Sequence, residues 1–370
     1  MTARPAGGAG GPEGGAGGPE SGAGGPAGGA VRFGFLGAGW IAHQAMAPAV
    51  HAADGAVLQA VASRDDARAR ELEPTGRIYP DYAALLADPD VDAVYISLTN
   101  EAHLPWTLAA LEAGKHVLCE KPLGLDVGQV AAMHEAAAVA DRVLLEGYFY
   151  RWHPRMRRIE ELAHGGALAH GGALGAVLAL SSEFSFDGWA EPAMAANYRL
   201  DPARGGGALY DVGVYPVSAA HALLGADLVV RAARQEIGPT GVDLDTQADL
   251  SPAALSPAVG GLPPVTAHVR AAIKGRAGQH LIVDAEAGRL STAAGEAFTT
   301  WHAPSSLTIA TPDGAVREEH FAPVDPYRLM VEAFARRVRG EDVWLVGADH
   351  SLCVCATLER IRSTAGSPVL

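Results

Sequence analysis

The chain has 370 residues, 49% of them apolar, a length that suits about two domains with substantial cores. Its formal net charge of -14 argues against nucleic acid or an anionic membrane as partner, since both want basic patches. Cys119, Cys353 and Cys355 do not make a disulfide framework, and neither a long apolar run nor a secretory leader is visible, so a cytoplasmic location is expected.

Residues 1–30, with a degenerate GGPEGGAGGPESGAGGP repeat, have almost nothing to bury and are expected to form a disordered tail. From Val31 onward, strands and helices alternate as a parallel sheet requires. VRFGFLG reads as a strand, IAHQAMAPAVHAA as a helix interrupted near Pro48, VLQAVAS as a strand and DDARARELE as a polar helix. DYAALLADPD gives a short helix and VDAVYISL a third strand. PWTLAALEAG is a helix that Gly114 closes. HVLCE, VGQVAAMHEAAAVA and RVLLEGY follow as strand, helix and strand.

The pattern changes near residue 150. WHPRMRRIEELAHG is an amphipathic helix, AVLALSSEFSF a long strand, and GGGALYDVGVYPVSAAHALLG a helix with a proline inside it. TAHVRAAIKG, HLIVDAE and GRLSTA read as antiparallel strands; FARRVRGE ends one late helix and SLCVCATLERIRSTAG makes another. HGGAL, at 164–168 and again at 170–174, is read as a duplication in a loop, and SPAALSPAVGGLPP (251–264) as an inserted loop.

Gly37-Ala38-Gly39-Trp40-Ile41-Ala42 fits G-x-G-x-x-G/A between the first strand and the first helix, the context that marks a dinucleotide site. Gly37 permits the tight turn, Gly39 lets the backbone approach a pyrophosphate at the helix N-terminus, and Ala42 allows close helix–strand packing. Trp40 and Ile41 are counted with this site. At the end of the second strand, where an NAD enzyme places a carboxylate, the chain has Ser63-Arg64. These can hydrogen-bond and neutralise a 2′-phosphate, so NADP(H) is expected ahead of NAD(H). Asp65 and Asp66 come late enough to start the next helix instead.

DAVYISLTNEAHLPWTLAALEAGKHVLCEKPLGLD, and within it Glu120-Lys121-Pro122, resembles the glucose–fructose oxidoreductase/inositol dehydrogenase/MocA (Gfo/Idh/MocA) family. GGGALYDVGVYP at 205–216 is similar to that family's helix with Asp and, four residues on, His or Tyr. YRLMVEAFARRVRGE is similar to its C-terminal part. The tyrosine version resembles deoxysugar 3-ketoreductases and dihydrodiol dehydrogenase. The reading is an α/β protein: a Rossmann dinucleotide-binding domain at 31–150, then an α+β domain at 151–370 with a mostly antiparallel open-faced sheet. The last helix is expected to pack back on the first domain.

The residues suggest the chemistry directly. Lys121 falls at the C-terminal end of a parallel strand, where ligands bind in such sheets. Asp211 and Tyr215, at i and i+4, share a helix face. Hydride transfer to a carbonyl leaves an alkoxide that needs a proton. Tyr215 can give it, and a nearby Lys121 cation is expected to bring the phenol closer to working pH. Asp211 is assigned to fixing the substrate hydroxyl or the lysine. The resemblance adds Thr99, Asn100, His103, Glu120 and Lys121 as cofactor contacts. Arg151, His153, Trp189 and Tyr198 are weaker substrate candidates, the aromatics as a face for a sugar ring. The histidines lack metal-ligand spacing, so no metal is expected.

The expected activity is NADP(H)-dependent hydride transfer at a carbonyl or hydroxyl carbon of a sugar, keto-sugar or cyclic diol. The alternatives are a redox-neutral NAD-dependent glycosidase of the same family and a non-catalytic NADP-binding sensor; Lys121, Asp211 and Tyr215 together count against the sensor. The resemblance also implies a homo-oligomer through the antiparallel sheet.

Overall fold

The computed structural model describes residues 29–164, 174–189, 197–225, 227–253, 265–293 and 295–366. Positions 1–28 of the tail expected over 1–30, nearly all of the HGGAL duplication and positions 254–264 of the inserted loop lie outside the described residues. Ser251 and Pro252, read as part of that loop, instead end a strand.

The first half is a six-stranded parallel sheet. Its elements in chain order are β1 (Val31–Leu36), α1 (Ala47–Ala52), β2 (Ala56–Ala62), α2 (Asp66–Arg70), β3 (Ile78–Tyr79), α3 (Tyr82–Leu86), β4 (Ala93–Ile96), α4 (Asn100–Glu112), β5 (His116–Cys119), α5 (Val127–Ala140) and β6 (Leu144–Glu146). The strand order is β3-β2-β1-β4-β5-β6. The chain reverses direction across the sheet between β1 and β4, and a crevice opens at their C-terminal ends, where open α/β sheets bind ligands. β1 and β4 are buried almost throughout, as strands covered on both faces must be.

α6 (Pro154–His164), β7 (Val177–Ser185), α7 (Val214–Leu224) and β8 (Leu228–Ile237) follow, then β9 (Asp243–Pro252), β10 (Thr266–Ala272), β11 (Gly278–Ala285), β12 (Gly288–Thr292), β13 (Ser305–Ala310) and β14 (Val316–Phe321). These strands form one eight-stranded sheet in the order β14-β13-β12-β11-β7-β10-β9-β8, antiparallel except for β7 against β10. Leu180, Ser182 and Phe184 of β7 are buried, and α7 packs against this strand. The alternate positions carry an ionic lattice on the open face, in which Arg270 bridges Glu183 and Asp245.

α8 (Pro326–Val338) and α9 (Ala348–Thr364) close the chain. α8 packs against α1 of the first half. α9 lies between α5 and α7, where Glu359 accepts from the Val127 N–H at the start of α5.

Two helices do not run as regular α-helix. A π-helical turn covers Ala42–Met46 just before Pro48, and another covers Leu209–Gly213 just before Pro216. A proline has no N–H to return to the preceding turn, and a wider turn upstream absorbs the misfit.

Candidate active site

β1 delivers the glycine fingerprint to the crevice. Gly37 has φ +96, and a Cβ there would meet the Leu98 side chain at 3.0 Å and the Ser97 carbonyl at 3.2 Å, so only glycine suits the turn. At Gly39 a Cβ would meet nothing nearer than the Ser97 carbonyl at 3.6 Å, so the backbone is open toward the crevice. Ala42 is fully buried, Ile41 packs on the core, and Trp40 is 66% exposed, with its ring 6.5 Å from Trp301.

At the end of β2, Ser63 Oγ accepts from the Asp65 N–H. Asp65 caps α2 by accepting from the Arg68 N–H, as a helix-starting residue does. Arg64 is exposed and has no hydrogen bond or ion pair among the described residues.

The turn that carries Lys121 is braced on three sides. Tyr95 of β4 donates to Glu120 Oε1 (2.8 Å). His103 Nδ1 lies 2.8 Å from the Pro122 carbonyl and its Nε2 3.2 Å from that of Leu98. Glu146 Oε1 accepts from the Leu123 N–H (2.9 Å). His103 and Glu120, expected at the cofactor, are therefore buried and engaged within the protein. Burial raises the Glu120 carboxyl above its usual range, against the pull of Lys121.

The partner helix is held as firmly. Asp243 of β9 accepts from the Leu209 N–H (2.8 Å), a carboxylate at a helix N-terminus. A Cβ on Gly207 (φ +112) would fall 2.1 Å from that carboxylate, so this glycine cannot change. Across the interface, Lys121 Nζ donates to the Asp211 carbonyl (2.6 Å) and stands 3.7 Å from Asp211 Oδ1 and 5.1 Å from the Tyr215 ring centroid. The structure thus brings Lys121, Asp211 and Tyr215 together, although Asp211 lies on a π-helical turn and the shared face is not that of a plain α-helix.

Asp211 Oδ2 accepts from Arg199 Nε (2.6 Å). Burial alone would raise this carboxyl, but the charges of Arg199 and Lys121 outweigh it and hold it below the ordinary range. Tyr215 has its ring among Phe149, Tyr150, Phe184 and Phe298. Its hydroxyl has no hydrogen-bond partner among the described residues, yet it is not one of the atoms sealed from solvent. The expected lowering of this phenol is corrected: burial, with Glu120 and Asp211 nearby, pushes it well above its usual value. The lysine turns its ammonium to the Asp211 carbonyl and the face of the ring, too weak a coupling to offset desolvation.

A strap at 197–207 spans the two halves. Asn100 donates to the Gly205 carbonyl (2.8 Å), and Arg204 reaches Glu101 (3.0 Å) and Thr99 Oγ1 (3.2 Å). Tyr198 lies under the Arg199 guanidinium, and burial raises its hydroxyl to about 12 with Arg199 opposing. Trp189 is half-buried and its backbone N–H donates to the Ile273 carbonyl.

Two weaker candidates go elsewhere. Arg151 is buried and ion-paired with Glu160 of α6 at 2.7 Å, away from Lys121. His153 lines a small cavity with Tyr150, Arg155 and Phe298, behind the aromatic wall of Tyr215, and burial lowers it to about 4. Arg199 and Arg204 were missed from sequence; the only signal was their place in NYRLDPARGGG, just upstream of the recognised glycine block. Among the described residues no cluster of three or more His, Cys, Asp or Glu could hold a metal, and no helix is long and apolar enough to cross a membrane.

Residues 31–148 match the GFO/IDH/MocA oxidoreductase family's NAD-binding Rossmann-fold domain, and residues 162–253 match a GFO/IDH/MocA C-terminal domain. The NADP(+)-dependent D-xylose 1-dehydrogenase 2 of Haloferax volcanii is 38% identical over 339 residues, 90% of this chain and 97% of that protein. A dTDP-3,4-didehydro-2,6-dideoxy-alpha-D-glucose 3-reductase of Streptomyces violaceoruber is 40% identical over 206 residues, which are 55% of this chain and 57% of that one. A 3-ketoreductase of Actinomadura kijaniata, solved with NADP and TDP-benzene, superposes with a TM-score of 0.79 at 28% identity, covering 90% of this chain and 97% of that chain.

Proposed function

The chain belongs to the GFO/IDH/MocA oxidoreductase family, and from that premise we propose that it is an NADP(H)-dependent enzyme acting on a carbonyl or hydroxyl carbon of a sugar-like substrate, with Lys121 and Tyr215 at the reacting oxygen. The convergence of Lys121, Asp211 and an uncommitted Tyr215 hydroxyl beside the crevice of the first sheet carries this reading.

The residues fit the cofactor. Gly37 and Gly39 leave the backbone open at the start of the first helix, and Arg64 is free to meet a 2′-phosphate with the Ser63 hydroxyl. When bound, the nicotinamide supplies or accepts the hydride. Lys121 donates a hydrogen bond to the substrate oxygen and stabilises negative charge there. Asp211, pinned by Arg199, keeps the ammonium in place. Tyr215 is a neutral phenol at working pH, and in the reductive direction it gives its proton to the oxygen as the carbonyl becomes an alcohol. A raised phenol suits this donor role and makes Tyr215 a poor base for the reverse reaction at neutral pH. His103, Glu120, Thr99 and Asn100 serve as positioning residues that hold the Lys121 turn and the strap.

The polar open face of the second sheet supports the further proposal that copies of the chain associate there. The function is tested by Lys121→Met. Single-turnover hydride transfer should fall by about a hundredfold or more while NADPH affinity, read by fluorescence, moves only a few-fold. An undiminished rate would refute the assignment.

A further inference from the structure

Residues 296–301, between β12 and β13, are neither helix nor strand, so no ladder of backbone bonds fixes them. Phe298 in this segment is buried, with its ring centroid 5.7 Å from Tyr215, 5.2 Å from Tyr150 and 6.0 Å from Phe184. On the side away from Tyr215, Phe298 and Tyr150 border the small cavity that His153, Arg155 and Met156 also line. Close packing therefore does not lock the Phe298 ring from behind. We infer that Arg155 is a positioning residue for the reaction: its guanidinium clamps the 296–300 segment, and the clamp keeps the Phe298 ring against Tyr215. The inference rests on Tyr215 as the proton donor and deepens that assignment.

Arg155 lies in the first turn of α6 and is 3% exposed. Its Nη2 donates to the carbonyls of Glu296 and Ala297 and to Thr300 Oγ1 (3.3 Å), and that hydroxyl donates to the Glu296 carbonyl (2.6 Å). From the other side, Gln279 Oε1 of β11 accepts from the N–H groups of Phe298 (2.9 Å) and Thr299 (3.2 Å). The backbone around Phe298 is thus held through its N–H groups by Gln279 and through its carbonyls by Arg155. Stability alone does not account for this arginine. Burial pulls it down to about 10, Glu296 Oε2 stands 3.6 Å from Nη1, beyond hydrogen-bond reach, and Nη1 has no hydrogen-bond partner among the described residues. A buried cation so loosely paired is less favourable than apolar packing in the same space. What the guanidinium supplies is a planar fork that gathers two carbonyls and a hydroxyl at once.

The charged and titratable groups around Tyr215 are Glu120 and Lys121 on the turn after β5, Asp211 on the turn before α7, Arg199 on the strap, Tyr150, and Tyr327 of α8. None of these is on the clamped segment, whose one ionisable residue, Glu296, faces Arg155. Loss of Arg155 acting only as a charge would raise the Tyr215 phenol, because a cation favours its ionised form. Release of the clamp acts with the opposite sign. Phe298 moves toward the cavity, water reaches the phenol, and the desolvation that holds it high is relieved, so it falls toward its usual value of about 10.

The test is the ionisation of Tyr215, read as the tyrosinate absorbance of each protein less that of its Tyr215→Phe counterpart, beside single-turnover reduction of a keto-sugar over the same pH range. Arg155→Met, or Arg155→Gln where the first does not fold, should bring the ionisation down toward about 10 and give reduction an alkaline limb there. Phe298→Leu, which opens the wall directly, should do the same. At neutral pH, hydride transfer in each should fall by about tenfold with NADPH affinity unchanged, and Arg155→Lys should recover part of the loss. An ionisation that stays in place or rises in Arg155→Met and Arg155→Gln, while Phe298→Leu lowers it, overturns the clamp. No lowering in Phe298→Leu overturns the wall on which the clamp acts. A lowered ionisation with no alkaline limb in reduction refutes Tyr215 as proton donor and leaves the clamp standing.

Discussion

Tyr215→Phe removes one oxygen and keeps the ring. The centroids of Phe184, Phe298, Tyr150 and Phe149 lie 5.2, 5.7, 5.8 and 5.9 Å from that of Tyr215, and all these contacts survive. The hydroxyl has no hydrogen bond to a described residue, so its loss orphans no partner, and stability should change by less than about 0.5 kcal/mol. Reduction, however, loses its proton donor. A missing general acid costs about 10²–10⁴ in rate, or roughly 2.7–5.4 kcal/mol at 1.36 kcal/mol per decade. The wild-type phenol, raised by burial, stays protonated far into alkaline pH. Reduction should therefore be flat through neutral pH and fall only when the phenol ionises, well above its usual value. Stopped-flow NADPH oxidation and a melting curve on the same sample read both effects. Near-full turnover by Tyr215→Phe, with hydride transfer rate-limiting, would refute the role.

Arg64→Ala should erase most of an NADP(H) preference that is about tenfold or more over NAD(H), measured as the ratio of dissociation constants; equal wild-type affinities would contradict the phosphate site. Arg199→Met should lower kcat/KM by about tenfold or more and shift its pH profile, because Asp211 loses the stronger of its two cations, and Arg199→Lys should recover part of it. Unchanged profiles in both would show that Arg199 only packs. Burial depresses His153 and His221 from 6.5 to about 4 in the folded protein. The unfolded chain binds the protons first, so this stability is whole above about pH 6.5 and drains away as pH falls toward 4. The loss is of order 3 kcal/mol for each, and a melting temperature constant across that window would contradict it.

Five strands of the first sheet were legible because each is a short apolar run and the turns carry their own chemistry: Gly37 after β1, Asp65 capping α2, Gly114 after α4; the two-residue β3 is too short to give such a run and was not read. α4 begins at Asn100 and carries Pro105 inside its second turn, so the sequence reading, which started the helix at that proline, began it too late. β9 was missed altogether. Its Leu244, Thr246, Ala248 and Leu250 face the core, but the acidic and amide residues between them serve the open face and disguise the alternation. β14, VREEHF, is an edge strand with no buried residue and so no apolar signal at all. At the site, Lys121, Asp211 and Tyr215 were legible from local motifs. The clamp of Arg199 on Asp211 depends on how the strap folds back, and the raised Tyr215 phenol on how deeply the ring is buried. Neither is written in the spacing of residues.

The most direct test of the central claim is the stoichiometry of NADPH against product during reduction of a keto-sugar by the purified protein. The account predicts one NADPH consumed for each carbonyl reduced, and almost no consumption by Lys121→Met under the same conditions. Substrate conversion with no net change in NADPH absorbance would contradict it and point instead to redox-neutral chemistry at the same residues.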